Sequence, residues 1–277
     1  MKFGFVTDST SDLTQDMIDR HGIQVVPAIV VIDGKGYEDG SGLTREEFYT
    51  ALPTMKIPPT TAAPAPAEFG ERYEKLLSSG CEHILSFHPP LALTSIGTSA
   101  QTAADNFNGR VSVIDSGQLS LGIGFQVLAA AEAAVKGAAG LEEILAAIKS
   151  TRMRLKVIAV LDTMLYIKRS GRVHWAKAAI GGLFNLKPIV ELTEGKVESL
   201  GAARTTHQGH QRVLEMLQEM GKLERLVILH TNAEHRARQL LMDLKSDLVD
   251  VPLVNVTTVI GTHVGPNGLG FVAVKAA

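Results

Sequence analysis

The chain has 277 residues, of which 45% are hydrophobic, and its formal net charge is −2. This length suits one large domain or two smaller ones with a full core, and the absence of a basic tract argues against nucleic acid as the main partner. The single cysteine, Cys81, excludes an internal disulfide and is typical of a reducing compartment.

The first half of the chain alternates predicted strands and helices. The predicted strands are Phe3–Val6, Ile23–Ile32, His83–Phe87 and Val111–Ile114. One predicted helix begins near Leu13 and stops at Gly22, and another is opened by the capping pattern Thr44-Arg-Glu-Glu47 and ended by Pro53. A third is marked by an apolar stripe from Phe69 to Leu77. The others are Thr94–Phe107, Gly124–Lys136 and Leu141–Lys149. Pro58–Pro66 is predicted to be a proline-rich loop. This alternation predicts a parallel sheet covered by helices.

The second half mixes strand pairs with helices. Its predicted strands are Val157–Leu161, Leu186–Thr193, Lys196–Arg204, Arg225–His230, Leu253–Val259 and Phe271–Lys275, and Glu194-Gly195 indicates a hairpin. Its predicted helices are Thr206–Met220 and Ala233–Leu244, preceded by a helical and loop region at Met164–Gly182. We therefore expect a two-domain α/β protein, with a Rossmann-like domain over residues 1–154 and a mixed α/β domain over residues 155–277.

The N-terminus and the apolar runs bear on location. The first eight residues read as a strand and carry no secretory signal pattern, and no apolar run reaches membrane-spanning length. We expect a cytoplasmic protein, with transient contact with a membrane surface as a further expectation.

Ile260–Gly270 is the segment with the strongest functional signal. It contains four glycines, a proline and an asparagine around one imidazole, His263. A turn this rich in glycine can approach a ligand closely, and the histidine then supplies a polar contact. The alternative is a glycine-rich hairpin with a surface histidine.

Polar side chains also gather at predicted strand ends and helix starts. Those at strand ends are Asp8, Ser9, Ser86, Asp115 and Ser116; hydroxyls also occur at Thr60, Thr61 and across Leu93–Ser99. In parallel α/β sheets ligands bind beyond the carboxyl ends of the strands, but such residues also cap helices and orient loops. Both interpretations stay open.

Standard catalytic and metal-binding signatures are missing. The chain has no Gly-x-Ser-x-Gly elbow, no phosphate-binding Walker loop and no His-Glu-x-x-His motif. We interpret His207 and His210 as an exposed helix face, and we predict neither a metal nor a cofactor. The basic turn Tyr166–Arg172 and Arg204 suit either solvated surface or the docking of an anion or partner.

Taken together, several ordered motifs make the chain resemble the DegV family along nearly its whole length. The motifs are Val6-Thr-Asp-Ser9, Thr61 with Pro64-Ala-Pro-Ala-Glu-Phe69, Leu93-Thr94, Ile114-Asp-Ser116, Leu165-Tyr-Ile-Lys-Arg-Ser-Gly-Arg172, Leu186-Lys-Pro188, Arg204 and Gly261-Thr-His-Val-Gly-Pro266. The resemblance implies two α/β domains that hold a long-chain fatty acid between them. It also implies a non-enzymatic, fatty-acid-binding subunit of bacterial fatty acid kinase, whose separate ATP-dependent subunit phosphorylates the bound carboxylate.

The resemblance also assigns residues. Thr61, Thr94 and His263 would hold the carboxylate, with Ser95 and Gly265 in the same ligand-binding set. Arg172 and Arg204 would contact the kinase subunit. Candidates for the lining of a lipid tunnel are Ala28, Ile29, Ile96, Gly97, Leu119, Ile123 and Met164.

The chain departs from the family pattern at two points. Thr61-Ala-Ala-Pro64 stands where the family usually has Thr-Ser-Gln-Pro, and Leu93-Thr-Ser-Ile96 stands where it usually has Leu-Ser-Gly-Thr. These departures motivate a second hypothesis, a binding protein for another amphiphile. A third is a stand-alone acyl hydrolase, with His263 as acid and base and Ser95 or Thr94 as nucleophile.

Overall fold

The computed structural model describes residues 1–137, 140–171, 186–244 and 248–277. The strands are β1 Phe3–Asp8, β2 Gln24–Val26, β3 Ile29–Ile32, β4 Lys35–Glu38, β5 Thr60–Ala62, β6 His83–His88, β7 Val111–Asp115, β8 Leu155–Val160, β9 Lys187–Thr193, β10 Lys196–Ala203, β11 Leu223–His230, β12 Leu253–Asn255 and β13 Leu269–Lys275. The α-helices are α1 Gln15–His21, α2 Arg45–Ala51, α3 Pro66–Ser78, α4 Ile96–Ala104, α5 Leu121–Val135, α6 Leu141–Arg154, α7 Leu165–Arg169, α8 Thr206–Glu219, α9 Glu234–Leu244 and α10 Thr258–Val264. Short 3₁₀ helices occupy Ser9–Ser11, Leu52–Thr54 and Asp105–Phe107.

The chain divides into two compact units that are not each continuous in sequence. One unit contains Met1–Ile29 and Ala62–Met153, and the other contains Val30–Thr61 and Arg154–Ala277. The predicted division at residues 154 and 155 lies next to one of these boundaries. It differs for Val30–Thr61, which packs with the C-terminal half although sequence order had placed it in the first domain.

The first unit contains a four-stranded parallel sheet in the order β2-β1-β6-β7. Each parallel pair requires a crossover, and the helices predicted between the strands supply it. Val6, in the middle of this sheet, pairs with Ser86 and is fully buried. The predicted parallel sheet with covering helices is confirmed.

The second unit contains a six-stranded mixed sheet in the order β10-β9-β8-β13-β11-β12. Strands β11 and β12 are parallel, and the other pairs are antiparallel. The predicted β9–β10 hairpin is confirmed, and Glu194 and Gly195 have φ of 45° and 76°, the positive values that a two-residue turn of this kind needs. Phe271 and Val213 are fully buried in the core below this sheet.

The predicted strand Ile23–Ile32 is two strands in different sheets. Strand β2 ends at Val26 in the parallel sheet, and β3 begins at Ile29 in a three-stranded sheet of order β4-β3-β5. Pro27 lies between them and has no amide hydrogen for a sheet ladder, which explains the interruption. The predicted loop Pro58–Pro66 also contains a strand, because Thr60–Ala62 pairs in that sheet.

A row of buried hydrogen bonds joins α3, β6 and β1 in the first unit. Tyr73 Oη donates to Ser86 Oγ at 2.9 Å, Ser86 Oγ lies 2.7 Å from His88 Nε2, and His88 Nδ1 lies 2.7 Å from Asp8 Oδ2. All four residues are fully buried, and burial raises the pKa of Tyr73 to about 12. A proton on His88 Nδ1 gives each group in the row a partner. The order Ser86, His88, Asp8 is that of a hydrolase triad, but the Ser86 hydroxyl is fully buried and accepts from Tyr73, so it is not presented at the surface as a nucleophile.

We predict unequal effects from breaking this row at its two ends. Tyr73→Phe removes the neutral hydrogen bond to Ser86 and a longer contact with Ala100 O, and should lower the free energy of unfolding by about 1 kcal/mol. His88→Leu leaves the Asp8 carboxylate buried without its imidazole and should lower it by about 3–5 kcal/mol. Denaturant unfolding measures both, with Tyr37→Phe as the control for loss of a hydroxyl outside the row. Equal effects of the two variants would contradict this description.

Each unit also holds a histidine whose pKa is lowered by burial. His83 lies in β6, with Nε2 2.9 Å from Ser112 Oγ. His230 ends β11 and is 5% exposed; burial is the largest cause of its lowered pKa, opposed by Glu234 and reinforced by Arg238. A histidine whose pKa is lower in the folded state takes up protons on unfolding. Its contribution to stability is therefore complete above the unfolded pKa of about 6.5 and is lost as pH falls below it.

We therefore predict that His230→Gln makes the free energy of unfolding less dependent on pH in the acidic range. The free energy of unfolding of the native sequence should fall more between neutral pH and about pH 5 than that of the variant. His235→Gln, at an exposed position of α9, is the matched control and should follow the native sequence. Parallel losses in His230→Gln and the native sequence would refute the assignment.

Candidate functional site

His263 lies on a helix, which corrects the sequence prediction for this segment. Leu253–Val259 was predicted to be one strand followed by a glycine-rich turn, but β12 ends at Asn255 and α10 spans Thr258–Val264. The Thr257 hydroxyl caps this helix by accepting from Val259 N at 3.3 Å. His263 therefore occupies the last helical turn, and the turn that the glycines were expected to form begins only at Gly265.

Thr61 and His263 meet in the second unit. Thr61 lies on β5, and its Oγ1 is 3.3 Å from His263 Nε2. Both residues are partly buried. A hydroxyl and an imidazole can each donate a hydrogen bond to a carboxylate because each carries a polar hydrogen. Neither adds a fixed opposing charge. Two of the residues that the family resemblance assigned to the carboxylate are thus adjacent.

Gly265 ends the helix that carries His263 and allows the Tyr166 ring to lie close to the backbone. Its φ of 78° lies in the left-handed region, and a side chain there would overlap the ring of Tyr166. Its amide donates to Gly261 O at 2.8 Å. The described contacts of Gly265 thus fix the end of α10, and contact with a ligand stays a prediction.

Thr94 and Ser95 lie in the first unit, just before α4. Thr94 Oγ1 accepts weakly from Ile96 N at 3.4 Å, which is part of a helix cap. Ser95 occupies the N-cap position itself, but its side chain makes no capping hydrogen bond and is exposed. The two hydroxyls therefore have different surroundings, and ligand contact stays a prediction for both.

The strand-end residues in the first unit mainly bond to the protein. Asp8 and Ser86 belong to the buried row, and Ser9 Oγ accepts from Ala28 N at 3.1 Å. Asp115 accepts from Leu91 N and Gly117 N, while Ser116 Oγ donates to His88 O. These contacts fit the interpretation as caps and loop-orienting groups.

A cavity of about 230 Å³ lies in the first unit, beyond the carboxyl ends of β6 and β7. Its lining residues are His88, Pro89, Leu91, Gly97, Thr98, Gln101, Val113, Ile114 and Asp115. Of the predicted tunnel residues, Gly97 is in this lining. Ala28, Ile96, Ile123 and Met164 are buried in the protein.

The predicted partner-binding residues are only partly described. Arg204 follows β10, is exposed, and its amide donates to Gln208 Oε1 at 3.0 Å. Arg172 lies outside the described residues. The preceding part of the basic turn forms α7, in which Tyr166 is buried and Lys168 and Arg169 lie in the last turn.

The interpretation of His207 and His210 as one exposed face is wrong for His210. His207 is exposed, but His210 is 8% exposed and its Nε2 lies 2.8 Å from Asp243 Oδ2 on α9. The helix spacing was correct, but the packing of α9 against α8 covers this position. Over the described ranges, no cluster of three or more His, Cys, Asp or Glu side chains could hold a metal ion.

Sequence reasoning missed the residues that support the His263 helix. Asp39 bonds to its first residue, and Arg45 and Tyr49 bond to the residues just before it, all from more than two hundred positions earlier in the chain. The capping box of Thr44 and Glu47 was predicted and is present, but it signals only that α2 begins there. No local pattern shows which element α2 contacts.

Within the part of the chain that is described, no helix has both the length and the apolar character to cross a bilayer.

The chain matches known proteins over nearly its full length. A family model described as an uncharacterised protein of the DegV family matches residues 2–276. A DegV domain-containing protein of Caldanaerobacter subterraneus subsp. tengcongensis is 35% identical over 275 residues, which is 97% of each chain. One of Listeria innocua is 34% identical over 273 residues, or 98% of each chain.

Solved structures agree with these sequence matches. A structure described as fatty acid binding of a DegV family protein from Thermus thermophilus has a TM-score of 0.90, 35% identity and 100% coverage of both chains. DegV of Bacillus subtilis, described as a fatty acid binding protein, has a TM-score of 0.87 at 28% identity and covers 99% of this chain and 100% of its own. Together with the family model, these matches confirm the resemblance seen in the sequence: the chain belongs to the DegV family.

Proposed function

We propose that this protein binds a long-chain fatty acid and presents its carboxylate to a separate ATP-dependent kinase subunit, which forms the acyl phosphate. The observation that carries the proposal is the pairing of Thr61 and His263 at 3.3 Å. The fatty acid binding described for the Thermus thermophilus protein, at 35% identity over the whole chain, supports the ligand class. The kinase partner comes from the sequence resemblance.

The head group would be held by hydrogen bonds. The Thr61 hydroxyl and a protonated ring nitrogen of His263 would each donate to the carboxylate, in place of the hydrogen bond between the two side chains. A neutral imidazole still donates through one nitrogen, and a protonated one also offsets the negative charge. Thr94 and Ser95 are the further donors that the family resemblance assigns, with Gly265 as a close backbone contact.

Most of the affinity would come from the tail. Burial of a methylene contributes roughly 0.8 kcal/mol, so about fourteen methylenes give on the order of 11 kcal/mol before the cost of association. A single hydrogen bond contributes only about 0.5–1.5 kcal/mol net, or about 1.5–3 to a charged group. We therefore assign most of the affinity to the tail, and orientation of the carboxylate to Thr61 and His263.

The protein itself would not catalyse phosphoryl transfer. Its role is to hold the acceptor oxygen in place, and the kinase subunit supplies ATP and the catalytic groups. Arg172 and Arg204 are the residues we assign to the contact with that subunit. Arg204 is exposed, as such a contact requires.

The first prediction separates orientation from affinity. Thr61→Val and His263→Ala should lower acyl-phosphate formation, measured with ATP and a fatty acid kinase subunit, by a larger factor than they lower palmitate affinity. Thr60→Val is the matched control, because Thr60 is the exposed neighbour on the same strand and its side chain points to the other face. Equal losses of affinity and of acyl-phosphate formation would contradict this division of roles.

The second prediction concerns the partner surface. Arg204→Ala and Arg172→Ala should weaken acyl-phosphate formation while palmitate stays bound with its original affinity. Arg212→Ala removes the same charge from an exposed position of α8, where Arg212 pairs with Glu215. We expect this control to leave coupling to the kinase intact. Unchanged phosphorylation in both test variants would show that these arginines do not contact the kinase.

A further inference from the structure

The helix that carries His263 is too short to be stable without support. It has seven residues, Thr258–Val264, and three of its first four positions are the β-branched residues Thr258, Val259 and Ile260. Isolated helices of this length are not stable in water, and β-branched residues lower helix propensity further. Contacts from outside the helix must therefore fix the position of the His263 imidazole.

Asp39 supplies the first of these contacts at the start of α10. Its Oδ1 accepts from Thr258 N at 3.0 Å and from Thr258 Oγ1 at 2.8 Å. Its Oδ2 lies 3.3 Å from Arg45 Nη2, and the side chain is 1% exposed. A carboxylate at this end satisfies an amide that has no partner within the helix and interacts favourably with the helix dipole.

Arg45 and Tyr49 extend the contact from α2. Arg45 Nη1 donates to Asn255 O at 2.6 Å, and Tyr49 Oη donates to Val256 O at 2.9 Å, so both hold the chain just before α10. The Tyr49 ring packs so closely on Gly261 that a side chain at Gly261 would overlap it. We call Asp39, Arg45 and Tyr49 the α10 clamp.

The clamp and Thr61 belong to the same piece of chain. Asp39, Arg45, Tyr49 and Thr61 all lie in Val30–Thr61, the segment that packs with the C-terminal half. This segment contacts α10 near its start through the clamp and near its end through the bond from Thr61 to His263. The distance between the Thr61 hydroxyl and the His263 imidazole therefore depends on the contacts that this one continuous segment makes with α10.

We infer that Asp39 and Tyr49 are positioning residues that fix His263 relative to Thr61 and thereby set a preference for a carboxylate head group over an uncharged one. The inference rests on the proposed function, because it concerns the residues that would hold the carboxylate. Neither residue needs to touch the ligand. Loss of the clamp should affect recognition of the head group and leave binding of the tail largely intact.

The test compares two ligands of equal chain length, myristic acid and 1-tetradecanol, in the full-length protein. Affinities are measured by displacement of a fluorescent fatty acid, together with the free energy of unfolding. The native sequence should prefer the acid, and Asp39→Ala should reduce that preference by about tenfold, mainly by weakening the acid. Tyr49→Phe keeps the ring against Gly261 but loses its hydrogen bond, so it should cause a smaller change in the same direction.

Asp243→Asn is the matched control for stability. It weakens another carboxylate–side-chain contact in the same unit, to His210, without touching α10. It should lower stability and leave the preference for the acid unchanged. A purely structural role of Asp39 would weaken both ligands in parallel.

The outcomes distinguish a failure of the proposed carboxylate site from a failure of the positioning role of Asp39 and Tyr49. A native sequence that shows no preference for the acid overturns the proposed carboxylate site and this inference with it. A native sequence that prefers the acid, with the same preference in Asp39→Ala and Tyr49→Phe, overturns the inference alone. If Asp39→Ala fails to fold, the Tyr49→Phe measurement decides.

Discussion

Thr61 and His263 are 202 residues apart in the chain, and their side chains meet because Val30–Thr61 packs with the C-terminal half. The chain begins the parallel sheet of the first unit, leaves it after β2, builds β3, β4 and α2 in the second unit, and then returns. Pro27 follows the last residue of β2 and cannot continue its ladder, and the chain enters the second unit at Val30. The candidate head-group site depends on the placement of Val30–Thr61 in the second unit.

Two buried aspartates show how the protein satisfies charge in its interior. Asp8 receives bonds from His88 and from the amide and hydroxyl of Thr10. Asp39 receives bonds from Thr258 and Arg45. A buried carboxylate is tolerated only when such donors surround it, and removing one partner costs several kcal/mol. Each cluster therefore fixes a specific arrangement of chain segments. The Asp8 cluster joins β1, β6 and the 3₁₀ helix that contains Thr10, and the Asp39 cluster joins α2 to the helix that carries His263.

Local patterns in the sequence were sufficient for much of the fold. The turn residues Glu194 and Gly195 predicted their hairpin, and Thr44 with Glu47 predicted the start of α2, because the relevant bonds are formed between neighbours in sequence. The β-branched residues from Leu253 to Val259 suggested one long strand. Thr257 and Asp39 instead cap a helix there, and the second of these contacts spans 219 positions. Local propensity had no access to it.

The candidate site could be predicted only in part for the same reason. Thr61 and His263 were singled out in the sequence, and the family resemblance assigned them to the carboxylate, whereas Asp39, Tyr49 and His88 carry no local signal for their roles. His210 showed the reverse error, because a position that looks exposed on an isolated helix is covered by α9. Hydroxyl and imidazole groups can be recognised in sequence, but the contacts that orient them depend on the fold.

The most direct test of the central claim is the mass of the intact purified protein under native conditions, followed by extraction and identification of whatever is released. We expect a discrete additional mass that matches a long-chain fatty acid. Protein that carries no such mass and fails to take up added fatty acid would contradict the account, and a non-carboxylate lipid at the same site would instead favour another amphiphile as the ligand.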